Sequence, residues 1–246
     1  MIYFYKVIIQ LKIKQRSLTM SIINSKLKSI DRNTLWDRAY HSLRTALLAG
    51  RFVPGERIVL RKVADDLGIS LTPVRDAVNR LIAENVLDRG GVGQGGGAIV
   101  PLLSAKQFDQ LMIIRGTLEP IAAATAAKLA SKKDLLVVAN SLANMKQFVA
   151  DGQVDDYLEA HYQFHFGIYR LSKLPIILQT IESAWLRCGP TLTLALPEYV
   201  PGMKRHKYHV ATLTALKQGN PVGAAEAIRA DIDSARSDIC SLLDQI

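Results

Sequence analysis

The chain is predicted to be mainly α, a winged helix-turn-helix followed by an all-helical bundle of six or seven helices. Three features of the sequence carry that expectation. In DLGISLTPVRDAVNRL, residues 66–81, helical spacing stops at Gly68 and restarts through Ser70 and Pro73. A glycine-rich stretch, GGVGQGGG, separates two short β-prone runs. From Ser104 onward the apolar positions keep a helical period, with no strand pattern and no long repeat.

The 246 residues suffice for one large domain or two ordinary ones, and 49% apolar content can build a sizeable core. Charge is divided unevenly. Residues 1–100 hold 16 Lys+Arg against 8 Asp+Glu, whereas residues 101–246 hold 15 against 14. A basic module joined to a near-neutral one points to a polyanion as the partner of the first. Cys188 and Cys240 form no CxxC, which argues against a disulfide scaffold or a Cys-based zinc finger and fits a reducing compartment. The opening MIYFYKVIIQLKIK is too short and too charged to span a bilayer. Residues 1–30 are read as an extension, either disordered or the product of a start upstream of Met20. No other segment approaches a membrane span, so a cytoplasmic protein with no membrane partner is expected.

The first module, residues 31–101, follows element by element. An amphipathic helix is predicted from Leu35 to about Leu48, ending at Gly50, and Val53-Pro54-Gly55 makes a turn. Leu60, Val63, Ala64 and Leu67 form one helical face closed by Gly68. Ser70 is a suitable N-cap, and Pro73 is tolerated in a first turn, where its missing N–H would be unpaired anyway. Val74, Ala77, Val78 and Leu81 continue the second helix to Asn85, a residue that accepts the left-handed conformation. Val86–Arg89 and Ala98–Val100 then make the two strands of the wing. In such a module the second helix presents its N-terminal turn to the major groove. Ser70 and Thr72 can hold phosphate there, and Arg61 is placed for another. Arg75, opposite Val74 and Val78, can contact guanine O6 and N7. The alternative is that Arg75 pairs with Asp76 or Glu84 on a solvated face.

The second module, residues 104–243, is read as helices over about 104–115, 116–130, 132–150, 154–172, 175–196, 202–218 and 222–243. His161 and His165 are i and i+4, so their imidazoles leave the 154–172 helix in the same direction. His209 precedes Asn220 by 11 residues and Asp231 follows it by 11. Both therefore stand ~16 Å from that turn, side by side on antiparallel helices. Three imidazoles and one carboxylate converging inside a bundle suit a borderline divalent metal, zinc first, with nickel, manganese or iron as alternatives. The competing reading is a set of satisfied core polar residues without metal. Asp231 argues against it, because a buried carboxylate needs a cation or donors. His206 has no partner in register.

PGERI, VADDLGIS, TPVRDAVNRL and the wing together resemble the GntR family of bacterial transcription regulators, from about Leu35 to Pro101. IIRGTLEP, HYQFHFGIYRLSKLPIILQTIESAW and HVATLTALKQGNPVGAAEAIRADI are similar to the FCD ligand-binding domain of the FadR subgroup, from roughly Ser104 to Leu243. The resemblance implies double-stranded DNA as partner, bound through Arg61, Ser70, Thr72 and Arg75, with Gly95 or a neighbour at the wing tip. Leu71 departs from the family's usual arginine. It cannot donate to a base but can meet a thymine methyl, so the operator sequence stays open. Metal-binding relatives carry Asp or Asn at the position of His161 and His at those of His165, His209 and Asp231; here the carboxylate has changed places. The resemblance further implies a small carboxylate effector, with Arg115 and Arg187 as candidate partners for it.

These readings converge on a homodimeric transcription regulator, a repressor in the commoner sense, controlled by a small organic acid through a bound divalent metal. The same regulator without metal is the alternative. A metal-dependent hydrolase is the rival from another class, and an enzyme is not expected. There is no HExxH, and Glu159 falls on a different face from the histidines.

Overall fold

The structure is a computed structural model that describes residues 35–90, 97–195 and 204–245. The predicted extension 1–30 and the wing-tip Gly95 lie outside the described residues. Nine α-helices are described. The reading head comprises α1 (Leu35–Leu48), β1 (Arg57–Ile58), α2 (Leu60–Leu67), α3 (Leu71–Ala83), β2 (Asp88–Arg89) and β3 (Ala98–Ile99). Gly68 ends α2 with φ +63, and Asn85 follows α3 with φ +56, both left-handed positions at which the chain changes direction. Ser70 occupies the N-cap of α3 with extended backbone, but its hydroxyl makes no capping bond. The face Val74, Ala77, Val78 and Leu81 is buried against Tyr40, Leu43 and Leu47 of α1.

The wing has a strand that the sequence did not disclose. β1 pairs antiparallel with β3, and β3 with β2, giving the order β1-β3-β2. Two residues long, β1 is too short to display alternation.

The sensor is a six-helix bundle: α4 (Ala105–Leu129), α5 (Lys132–Ala150), α6 (Val154–Leu171), α7 (Pro175–Leu192), α8 (His206–Lys217) and α9 (Pro221–Leu243), with a 3₁₀ turn at Thr193–Ala195. Two predicted helices, 104–115 and 116–130, are one. The helix runs through Gly116, which faces Ile232 of α9, and through Pro120. Proline interrupts a helix by removing one internal bond, but packing on both flanks outweighs that loss here. Ser104 and Gln107 close α4 with a capping box, and Ser131 and Asp134 close α5 in the same way. Helices α4 and α9 share the largest contact of the bundle and carry Phe108, Met112, Ala123, Ile228 and Ile232 into its core.

Head and sensor belong to one compact unit, Leu35–Ile246. The C-terminal end of α1 lies on α7: a Cβ added to Gly189 would stand 3.0 Å from the Leu47 carbonyl oxygen. Arg44 pairs with Glu182, and Arg51 pairs with Glu159 at 3.3 Å. Both cysteines are free, Cys188 buried and Cys240 half-buried. Among the described residues no helix is long and apolar enough to cross a membrane.

Candidate functional site

On the head, Arg61, Ser70, Thr72 and Arg75 are all exposed, at the start of α2 and over the first turns of α3. Glu84, the predicted alternative partner of Arg75, is engaged elsewhere. It accepts from Arg80 at 2.8 Å and from the Tyr40 hydroxyl at 2.7 Å. Arg80 in turn lies 4.0 Å from the Tyr40 ring centroid. Among the described residues no hydrogen bond or ion pair holds the guanidinium of Arg61 or Arg75. The unused Ser70 hydroxyl adds a donor at the N-terminal end of α3, where the helix dipole favours an anion.

Inside the sensor, α6 carries His161, His165 and Tyr169 at successive i+4 positions, α8 carries His209, and α9 carries Asp231. One ring nitrogen from each of the three histidines lies within 4.8 Å of the others. His161 and His165 approach at 3.1 Å between their Nε2 atoms. Asp231 Oδ2 is 3.6 Å from His165 Nε2, and its Oδ1 is 3.4 Å from His209 Nε2. His165 is 0% exposed, His209 2% and Asp231 5%. Neither nitrogen of His209, nor Asp231 Oδ1, has a hydrogen-bond partner among the described residues. Orphaned buried donors and acceptors of this kind cost about 1–3 kcal/mol each, a penalty that a cation held between them would lift for Asp231 Oδ1 and one nitrogen of His209.

Burial, followed by the charge of His209, lowers the His161 pKa to about 3. Burial and the His161 charge take His165 well below its usual value. Both imidazoles are therefore neutral at pH 7 and able to ligate. For Asp231, burial opposes ionisation, but the facing His209, His165 and His161 outweigh it and hold the carboxyl below its usual range. Three imidazoles and one carboxylate fit a divalent transition metal. His161, His165, His209 and Asp231 would hold it, and it would supply a Lewis-acidic seat for an effector oxygen.

A cavity of about 50 Å³ opens beside the centre, walled by His161, Asp231, Arg115 and Arg205 of the sensor and by Ala49 and Gly50 of the head. The two predicted effector arginines separate. Arg115 reaches the cavity wall but is 3% exposed, paired with Glu119 at 2.6 Å and lying 4.1 Å from the Trp185 ring centroid. Burial would depress its pKa, yet the Glu119 carboxylate overrides that and keeps it a guanidinium. Arg187 does not meet the cavity. It sits on the exposed face of α7, one residue before the buried Cys188, because the helical turn sends neighbouring side chains about 100° apart. His206 is half-buried with Nδ1 unpartnered, outside the histidine trio. Glu119, Tyr169 and Trp185 escaped sequence reasoning, although the i+4 continuation of His161 and His165 to Tyr169 was a visible signal.

The fold and the two sites define a class: a winged-helix DNA reader joined to a helical sensor. Residues 35–100 match the family described as bacterial regulatory proteins, gntR family, and residues 110–234 match the FCD domain. The chain is 30% identical over 191 residues to the HTH-type transcriptional regulator McbR of Escherichia coli K12, covering 76% of this chain and 85% of that one. It is 26% identical over 202 residues to a probable D-xylose utilization operon transcriptional repressor of Paenarthrobacter nicotinovorans, covering 82% and 87%. The solved structure of E. coli McbR/YncC superposes with a TM-score of 0.74 at 27% identity, over 87% of this chain and 98% of that one. A GntR regulator structure from Rhodococcus sp. RHA1, at 20% identity, shares the fold with a TM-score of 0.67 over 84% and 97%. The chain belongs to the GntR family of transcription regulators, carries an FCD domain, and is not of an enzyme class.

Proposed function

We propose that this regulator acts as a homodimeric repressor whose operator affinity is set by a small organic acid, bound in the sensor beside a divalent metal. The observation that carries the metal is the buried, unpartnered state of His209 and Asp231 Oδ1 next to two neutral imidazoles. A protein core leaves such groups unsatisfied only at a price in stability, and a divalent cation would satisfy Asp231 Oδ1 together with one nitrogen of His209. Zinc suits the donor set best, with nickel, manganese or iron able to take the same ligands.

On the head, Ser70, Thr72 and Arg61 position phosphates while Arg75 reads a base edge. The repressor sense draws support from the Paenarthrobacter nicotinovorans relative, itself a probable operon repressor. Homodimerisation draws support from α4, where Ile113, Ile114 and Ile121 are 48%, 40% and 46% exposed on the outer side of the bundle. A copy related by a two-fold axis would cover that stripe and present two recognition helices to a palindromic operator. Because Ala49 and Gly50 help to wall the cavity, an effector there touches both head and sensor. It can thus favour one head arrangement over another.

The test is elemental analysis of untagged protein joined to gel retardation on DNA from its own promoter region. About one metal ion per chain, and a shift in operator affinity on chelation or on adding a small carboxylate, is the expected result. Metal below about 0.2 per chain after gentle preparation rejects the metal-bound form.

A further inference from the structure

We infer that Tyr169 and Glu119 are positioning residues that fix the tautomer of His165, so that its Nε2 is already free to take a metal. The inference rests on the metal reading above but concerns atoms of this chain alone. Glu119 is 0% exposed and its carboxylate is surrounded by donors. Oε1 accepts from Arg115 Nε at 2.6 Å and from Trp185 Nε1 at 2.7 Å. Oε2 accepts from the Tyr169 hydroxyl at 2.5 Å and, more weakly, from Arg115 Nη2 at 3.4 Å. A guanidinium and an indole can only donate, so the carboxylate can only accept. The single Tyr169 proton is therefore committed to Glu119.

With that proton spent, the Tyr169 oxygen is an acceptor for its other neighbour, His165 Nδ1, at 3.0 Å. The Nδ1 atom must carry the hydrogen. In a neutral imidazole this leaves Nε2 with a lone pair, aimed at His161 Nε2 and Asp231 Oδ2. The metal-free protein then needs the His161 Nε2–H to donate into that lone pair, and a cation taking its place would require only that the His161 hydrogen pass from Nε2 to Nδ1. His165 needs no rearrangement at all. Second-shell partners of this kind typically contribute 10–100-fold to metal affinity. The same carboxylate clamps Arg115 at the cavity wall, so one buried group orients both a ligand and the nearest cation.

The experiment is long-range 1H–15N correlation on histidine-labelled, chelator-treated full-length protein, paired with competition titration of zinc against a chromophoric chelator. Wild type is expected to show His165 as the Nδ1–H tautomer. Tyr169→Phe keeps the ring volume but lacks the oxygen; it is expected to shift His165 toward the Nε2–H tautomer and weaken zinc binding roughly 10–100-fold. Glu119→Gln provides a second route if the phenylalanine variant folds poorly. Its amide can donate to Tyr169, which frees the tyrosine proton for His165 Nδ1 and should produce the same tautomer change. An Nε2–H tautomer in wild type, or an unchanged tautomer in the folded variants, overturns the inference. A wild type with the expected tautomer but no zinc affinity removes the metal reading, and with it the ligand role assigned to His165.

Discussion

At the scale of single residues, the head and the sensor differ in what exposure means. Arg75 is exposed with no partner among the described residues, so its loss is expected to leave the fold unchanged and remove only what it contacts outside. Arg75→Ala is expected to weaken specific operator binding by about 1–3 kcal/mol, roughly 5–150-fold, with an unchanged melting temperature; gel retardation against specific and scrambled duplexes measures it. Asp231→Asn removes the one carboxylate of the histidine centre. It should lower metal occupancy by more than tenfold by elemental analysis while leaving operator binding by the metal-free form intact. Arg187→Ala, on the outer face of α7, should change neither metal content nor effector response, and a thermal-shift titration checks the second. The convergence of His161, His165, His209 and Asp231 was legible because i, i+4 spacing and the symmetric placement of His209 and Asp231 about Asn220 are properties of helices. The clamp on Arg115 was not, because Glu119 meets Trp185 and Tyr169 only through the packing of α4 against α6 and α7.

Among elements, the seam between α1 and α7 is where the two modules meet most tightly. The end of α1 and the turn after it, Leu47-Leu48-Ala49-Gly50, are all buried; the Leu47 carbonyl rests on Gly189, and a Cβ added to Gly50, which has φ +67, would stand 3.1 Å from Thr193 Cγ2. Gly189 is there because a side chain would press on backbone that cannot swing aside. Gly189→Val should cost about 1–3 kcal/mol in unfolding free energy. It should also blunt the change in operator affinity caused by effector or chelator, since the head can no longer sit on the cavity wall. Denaturant unfolding and gel retardation together distinguish this from a simple loss of fold: a variant that unfolds normally yet responds fully would show that the seam does not transmit. The helices of this seam were legible from periodicity alone. Their mutual packing was not, because Gly189 and Gly50 have no side chain to mark a contact. Strand β1 was missed for a related reason, its two residues showing no alternation, and Gly116 and Pro120 suggested a break that tertiary packing on α9 overrides.

For the molecule as a whole, the proposed dimer would hold two heads at a fixed separation, about 34–36 Å for half-sites one helical turn apart. A single head offers one Arg75 and a handful of phosphate contacts, a footprint that gives weak and strongly salt-dependent binding. The exposed stripe Ile113, Ile114 and Ile121 lies along one side of α4, the longest helix of the bundle, and continuous apolar surface of that kind is uncommon on a monomer that stays one. A two-fold contact there would leave the heads free, because they pack on α7. A double change, Ile114→Glu with Ile121→Glu, places like charges opposite one another across such an axis without disturbing the buried side of α4. Sedimentation is expected to show a dimer converted to a monomer, with the melting temperature measured at equal protein concentration falling as subunit stabilisation is lost. Operator affinity should fall by at least tenfold while weak binding to nonspecific duplex at low salt persists, since each head remains intact. A double variant that still sediments as a dimer would move the interface off this helix, and full operator affinity from a monomer would remove the need for two heads altogether.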